Sequence, residues 1–362
     1  MKILIIGPGK LNYMPYVHLY LDNIDCAKND VHLVTWNRDL APQTAEGFEN
    51  VTIHEFLKRQ ESEVPVWKKA NSFIKYRKFV KKIIKSQNFD YLIVLHSIPG
   101  FLTYDIIRKK FAGRYIFDYR DATYERFGIF QRTVNGLCEG AEAVFVSSEG
   151  FKKYLPCDEA GDKIYIAHNI LKDSLGHSGN FRKNDSGKIR IGHWGFIRDA
   201  SANTELIKRL KDDDDFELHY YGREESEASE IKKYCEDNGV SNVYFHGAYK
   251  PCDRYGFAET TDIIHNVFSE PNMKIAMSNK YYDGLVFGIP QLCLKGSLMG
   301  DKVTASGVGL ALDLSDENLP GKIKEYYRSI DAGKFNSDKN KALSDVLNEY
   351  NACEEKIKSI FA

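Results

Sequence analysis

A chain of 362 residues, 43% hydrophobic and 28% charged, has the balance of a soluble globular protein with two domains of ordinary size. Its formal net charge of −1 excludes a general polyanion-binding surface, so nucleic acid is not an expected partner and electrostatic targeting must come from local clusters. Seven cysteines are scattered with no C-x-x-C and no histidine pairing at zinc spacing, which excludes a zinc module and reads as incidental thiols in a reducing cytoplasm.

The first apolar run, Ile3 to Ile6, is too short for a signal peptide or a membrane span and ends at Gly7-Pro8-Gly9-Lys10. No later segment reaches 18 uninterrupted apolar residues, so the expectation is a cytoplasmic protein that is not integral to a membrane. Short apolar runs then recur, each followed by a helix-like stretch. After 2–7 they fall at 30–36, 90–96, 114–121, 142–148 and 163–169. A second series follows at 188–195, 216–222, 242–247, 262–268, 290–294 and 307–312. Continuous apolar strands alternating with helical patterns predict parallel sheets buried on both faces, and two such series predict two doubly wound, Rossmann-like α/β domains. The stretch 173–187, rich in Gly, Ser, Asn and charge, is the expected linker between domains at 1–172 and 188–340. A final helix is expected over 341–362. The four aspartates at 212–215 read as a solvated loop.

Residues 67–85, "WKKANSFIKYRKFVKKIIK", carry eight basic residues and no acidic one. On a helix, Phe73, Tyr76, Val80, Ile83 and Ile84 share one side and most lysines the other. Three readings are open: a surface helix with a solvated basic face, an interfacial helix drawn to anionic lipid headgroups, or, ranked last because the chain shows no nucleic-acid module, a nucleic-acid-binding helix.

The segment "SNKYYDGLVFGIP", 278–290, combines a polar start with an abrupt Gly288-Ile289-Pro290 end. Ser278 or Asn279 suits an N-cap, and a helix N-terminus favours phosphate through its free N–H groups and dipole. Lys280 adds a full positive charge in the first turn. Asp283 lies one turn further in, where a carboxylate can accept two hydrogen bonds from the vicinal hydroxyls of a ribose. Phosphate and ribose together describe a nucleotide; the alternative is a capped helix whose Asp283 offsets its own dipole. Gly195, Gly222 and Gly247 each stand where a strand ends, a position that permits close backbone approach to a ligand. Arg198 is placed to reach a diphosphate, or is an ordinary surface arginine.

In order along the chain, "ILIIGPGK", "FDYRDATYE", "AEAVFVSSEGFKKYL", "KIYIAHNI", "IRIGHWGFIRD", "VYFHGAY", "TDIIHNVF" and "NKYYDGLVFGIP" followed by "GVGLAL" resemble the GT-B glycosyltransferases of the group-1 type, family 4 and its relatives, many of which build bacterial surface polysaccharides. The resemblance implies a GT-B architecture, two Rossmann-like domains facing a cleft, with a nucleotide-activated sugar (UDP- or GDP-linked) on the second domain and the acceptor on the first. It also implies that the last helix packs back on the first domain. In that pattern Asp283 takes the place of the ribose-binding acidic residue, and Lys280, Arg198 and the N–H groups near Ser278 and Asn279 meet the leaving diphosphate. No metal or further cofactor is expected.

The chain departs from the pattern in two places. Ile275 stands where many relatives carry a glutamate, Glu270 being the nearest upstream carboxylate, and the histidine after the fourth strand of the first domain is replaced by Arg120. The "FDYRDATYE" element gathers Asp118, Arg120, Asp121 and Glu125. Asp121 is the candidate base of an inverting reaction, or with Arg120 orients the acceptor in a retaining one; alternatively it caps the next helix and pairs with Arg120. Gly9, Lys10 and Glu125 are expected on the acceptor side. The implied activity is transfer of a sugar to a glycan or polyprenyl-diphosphate-linked hydroxyl, and it adds weight to peripheral membrane association through 67–85. Rival readings are a nucleotide-sugar 2-epimerase and a non-catalytic sugar-nucleotide binder.

Overall fold

The structure, a computed structural model, describes residues 1–362 except 44–46, 62–63, 157–160 and 185–186, and the side chain of Val66. It divides into two compact units, Met1–His168 with Asn348–Ala362, and Asn169–Leu347.

In the first unit the elements follow as β1 (Lys2–Ile6), α1 (His18–Leu21), β2 (Asp30–Asn37), β3 (Thr52–Leu57), α2 (Val66–Ser86), β4 (Tyr91–Leu95), α3 (Ser97–Lys110), β5 (Tyr115–Tyr119), α4 (Gly128–Gly140), β6 (Ala143–Val146) and β7 (Ile164–Ile166). The strands form a parallel seven-stranded sheet in the order β3-β2-β1-β4-β5-β6-β7. β4, β5 and β6 are buried at every position, because helices cover both faces of a parallel sheet. The edge strand β3 is half-buried at best and was not among the expected strands. α2 buries Tyr76, Val80, Ile83 and Ile84, and leaves Phe73 half-buried.

The second unit runs β8 (Ile189–Trp194), α5 (Ala200–Leu210), β9 (Phe216–Tyr221), α6 (Ser226–Asp237), β10 (Val243–Phe245), α7 (Arg254–Thr260), β11 (Ile263–Asn266), α8 (Asn279–Phe287), β12 (Gln291–Leu294), α9 (Leu298–Ala305), β13 (Gly309–Leu312) and α10 (Leu319–Ser329). Its six strands are parallel in the order β10-β9-β8-β11-β12-β13. The last helix, α11 (Ala332–Phe361), starts earlier than expected; its residues to Leu347 belong to the second unit and the rest to the first. In the first unit its tail seats Phe361 against Tyr91, pairs Glu349 with His168 at 2.6 Å and Lys356 with Glu142 at 3.4 Å.

Residues 173–187 were expected to be an interdomain linker, set apart from both domains by composition. Instead, the described part of the stretch packs into the second unit. Ser174 and Phe181 are buried, the Gly179 N–H donates to the Val286 carbonyl at 2.9 Å, and the Lys339 ammonium donates to the Gly179 carbonyl at 2.8 Å. A polar composition hid one aromatic anchor and one tight backbone approach. The aspartate run is likewise tied down: Asp213 and Asp215 each pair with Lys324 of α10 at 2.7 Å. Among the described residues six cysteines are free, and Cys157 lies outside them.

Candidate functional site

A doubly wound sheet takes ligands at the carboxyl ends of the two central strands, where successive connections run in opposite directions. In the second unit that point lies between β8 and β11. Trp194, Gly195 and Arg198 crown β8, and α8 begins beyond β11 with Ser278 at its N-cap and Asn279 exposed. The sequence stretch 278–290 therefore opens onto the crevice, and the helix stops because Gly288 adopts a left-handed φ of 73° against the Gly179–Asn180 backbone.

Lys280 is the most unusual residue there. It is 7% exposed, its ammonium lies 5.0 Å from the centroid of the Phe268 ring, and no carboxylate pairs with it among the described residues. A side chain at Gly195, whose φ is 127°, would come within 3.7 Å of that ammonium. Burial first, then the nearby charge of Arg198, push the Lys280 pKa down to about 7, with Asp283 opposing. Behind it stand His193 and His265, both held neutral by burial and by Lys280 itself. His265 accepts from the Val267 N–H at 3.1 Å, so its Nε2 donates to Asn203 Oδ1 at 2.8 Å. Asn203 in turn donates to the Arg198 carbonyl at 2.8 Å. Asp199, in a left-handed conformation (φ 60°), caps α5 and accepts from Ser269 Oγ at 2.9 Å and the Glu270 N–H at 3.1 Å. These bonds fix the loop that carries Arg198, whose guanidinium touches the Met273 sulfur at 3.9 Å. Ile275, where a glutamate was looked for, is half-buried; Glu270 has its pKa raised by burial, against Arg198.

Asp283 differs from expectation. It is 4% exposed, and both oxygens are engaged: Oδ2 accepts from Trp194 Nε1 at 2.7 Å and Oδ1 from Arg254 Nη1 at 2.6 Å. Arg254 also donates to Ser174 Oγ at 3.3 Å and to the Pro251 carbonyl at 3.0 Å. Asp283 is thus held in a buried ion pair with Arg254 and capped by the Trp194 indole. Trp194 and Arg254 were missed because neither is near Asp283 in sequence.

The three glycines divide by role. Gly195 donates to the Tyr221 carbonyl at 2.9 Å and Gly222 to the Gly247 carbonyl at 2.7 Å, lacing three strand ends together. A Cβ on Gly222 would fall 1.7 Å from the Gly195 oxygen, so Gly222 serves close approach of backbone to backbone rather than to a ligand. Gly247 (φ 77°) has open space on its side-chain face.

In the first unit the corresponding point lies between β1 and β4. β4, the fourth strand, is followed by His96, whereas Asp118 and Tyr119 end the fifth and Arg120 follows it; a histidine does stand after the fourth strand. His96 has a φ of 69°, which is strained for a residue with a Cβ, and shares a 2.7 Å hydrogen bond with the Tyr16 hydroxyl. Burial, with Arg120 and Arg38 adding, pushes its pKa down to about 3, so it is neutral. Arg120 is buried, bonded through Nε to Asp118 at 2.9 Å and packed over the Tyr16 ring at 4.3 Å; Tyr20 donates to the same Asp118 oxygen at 2.6 Å. Arg120 thus supports Tyr16 and His96 from below. Asp121 is exposed, whereas Glu125 is buried and accepts from the Thr123 N–H. Lys10 is buried and pairs with Asp39 at 2.8 Å; Gly9 accepts from the Trp36 N–H at 3.0 Å.

Among the described residues no group of three or more His, Cys, Asp or Glu side chains is arranged to hold a metal ion, and no helix is long and apolar enough to cross a membrane.

No protein-family profile matches the chain, and no curated protein sequence does. Solved structures do. Sucrose-phosphate synthase from Thermosynechococcus elongatus is similar at 12% identity and a TM-score of 0.74, over 100% of this chain and 98% of that one. HepE of Anabaena, determined with UDP and glucose, is similar at 14% identity and 0.67, over 99% and 100%. A Listeria monocytogenes protein assigned as a UDP-N-acetylglucosamine 2-epimerase is similar at 12% and 0.57, over 94% and 90%. Matches of this length and depth establish that the chain has the GT-B fold.

Proposed function

We propose that the chain is a glycosyltransferase that holds a nucleoside diphosphate sugar on its second unit and a hydroxyl-bearing acceptor on its first. The observation that carries this is Lys280: a buried ammonium beside Arg198, at the switch point, with no carboxylate paired to it among the described residues. Two cations converge only at a cost that an incoming polyanion offsets, and a diphosphate brings that charge. HepE, which shares the fold, was determined with UDP.

In the reaction a bond forms between the acceptor oxygen and the anomeric carbon while the bond from that carbon to the diphosphate breaks. Lys280, Arg198 and the first N–H groups of α8 stabilise the departing charge without a metal. The proton of the acceptor hydroxyl passes to Asp121 in an inverting course, or to the leaving phosphate in a retaining one, which is the course we favour, with Asp121 then orienting the acceptor. Asp121→Asn is expected to lower kcat by about 100-fold or more if it is the base, and by far less if it only orients.

The acceptor we propose is a glycan or a polyprenyl-diphosphate-linked sugar of bacterial surface-polysaccharide synthesis. α2 supports a peripheral membrane site: Trp67 and Ile74 are 73% and 52% exposed, flanked by exposed Lys68, Lys75, Lys78 and Lys82, while Arg77 and Lys81 are committed to Asp105. Flotation with anionic but not zwitterionic vesicles, lost on reversing Lys75, Lys78 and Lys82, is the expected result.

The first test is calorimetric titration of UDP, GDP and their sugar conjugates into wild type and Lys280→Gln. Binding of one diphosphate to wild type, weakened in the variant, supports the reading; no binding by any overturns it. The fold is shared with the Listeria protein, so donor turned over without an acceptor signals an epimerase instead. Donor bound but never turned over signals a binding protein.

A further inference from the structure

One cation of the first unit has no place in the scheme so far. Arg38 follows β2 and is half-buried, with its guanidinium 4.4 Å from the centroid of the Trp36 ring and Nη2 donating to the Pro8 carbonyl at 3.0 Å. Its Nε is buried without a hydrogen-bond partner. Among the described residues no carboxylate pairs with it. Asp39, the next residue, pairs with Lys10, Glu55 of the adjacent strand accepts from the Asn37 amide at 2.9 Å, and Asp118 pairs with Arg120. Its polar surroundings are instead the phenols of Tyr76 and Tyr124, and both Lys69 and His96 feel its charge.

A guanidinium set against an indole face, with one carbonyl as acceptor and the Lys69 cation within reach of its charge, forgoes part of its hydration without a counter-charge. Its position gives that cost a use. The Gly7-Pro8-Gly9 turn and His96 crown β1 and β4, which flank the switch point of this sheet, and Arg38 crowns β2, the next strand beside β1. Lys10 cannot supply the charge, being neutralised by Asp39.

We infer that the crevice of the first unit binds an anionic group of the acceptor, a phosphate ester or a carboxylate, through the guanidinium of Arg38. The inference rests on the transferase reading, which assigns the acceptor to this unit. Either oxyanion matches the planar donor fork of an arginine, and Lys69 adds longer-range attraction. A neutral glycan leaves the charge of Arg38 unanswered.

The test uses the full chain carrying Lys280→Gln, which removes the main cation of the second unit's site, titrated with methyl phosphate, inorganic pyrophosphate and glucuronate. At least one is expected to bind, and adding Arg38→Gln is expected to weaken it by about tenfold or more, with Arg38→Lys in between. Binding of the phosphates alone assigns a phosphate ester, and binding of glucuronate alone a uronic acid. Equal binding with and without Arg38 overturns the inference, as does no binding by any of the three. A second measurement needs no variant at Arg38. Phenylglyoxal labelling of that residue in the wild-type chain, followed by mass spectrometry, slows when the anion occupies the site; an unchanged rate at saturation overturns the inference. The transferase reading is judged separately, by UDP titration: Arg38→Gln is expected to bind UDP as wild type does, whereas a wild-type chain that binds no nucleotide removes the donor site and leaves the Arg38 measurements standing.

Discussion

Lys280 and Asp283, three residues apart on α8, sit in opposite electrostatic states, and substitutions separate them. Lys280 is a buried cation with no carboxylate paired to it among the described residues, so Lys280→Met is expected to raise the melting temperature of the unliganded protein while weakening diphosphate binding by at least about tenfold. The pH dependence has a definite sign. The folded-state pKa of about 7 lies below the ordinary lysine value of 10.5, so between those values the unfolded chain binds more protons and stability rises with pH. That slope is absent from Lys280→Met, as thermal melts from pH 7 to 10 will show. A bound diphosphate favours the ammonium, so UDP binding at pH 8 takes up protons and weakens as pH rises, measurable by calorimetry in buffers of different ionisation enthalpy. Asp283→Ala leaves Arg254 charged, buried and unpaired, at an expected cost of about 3–5 kcal/mol. Loss of nucleotide binding in that variant reports on folding as much as on ribose. Asp283→Asn, which keeps an acceptor for Trp194 Nε1, gives the cleaner readout when its melting temperature is compared alongside.

Among the elements, the lacing of three strand ends by Gly195, Gly222 and Gly247 is the feature most exposed to a single methyl group. Gly222→Ala forces the Gly195 carbonyl away, so a loss of about 1–3 kcal/mol together with weaker UDP binding is expected from denaturation and titration of the same variant. Much of this architecture was legible in sequence, because strands buried on both faces write themselves as largely apolar runs: "YLIVL" and "YIFDY" lie at β4 and β5. "TIHEFL" was not legible. An edge strand needs no apolar run, and His54 and Glu55 sit in β3 because one flank of the sheet is open. At the site, the residues near in sequence, Ser278 to Asp283, could be read from helix-terminus chemistry. Arg254 and Trp194 could not, since only the folded sheet brings α7, the end of β8 and α8 together. His96 was overlooked for a simpler reason: the unread β3 shifted the strand count by one and moved attention to Arg120.

For the whole molecule, the division of the chain matters more than its length. The first unit is made of Met1–His168 and Asn348–Ala362, with the entire second unit between them in sequence. The returning segment is not ornamental: Cys353 and Ile357 are fully buried, Glu354 accepts from the Asn23 amide at 3.0 Å, and Phe361 meets Tyr91. Deleting 348–362 is therefore expected to make the first unit sensitive to limited proteolysis while the second still binds UDP. The same arrangement imposes an order on biogenesis. Domains generally fold as they emerge from the ribosome, amino-terminal first, but here the amino-terminal unit lacks its closing helix until the second unit has been translated in full. Throughout that interval the nascent chain presents the apolar surface that Ile357 and Phe361 later cover, so the first unit is expected to stay incomplete until the second has been made.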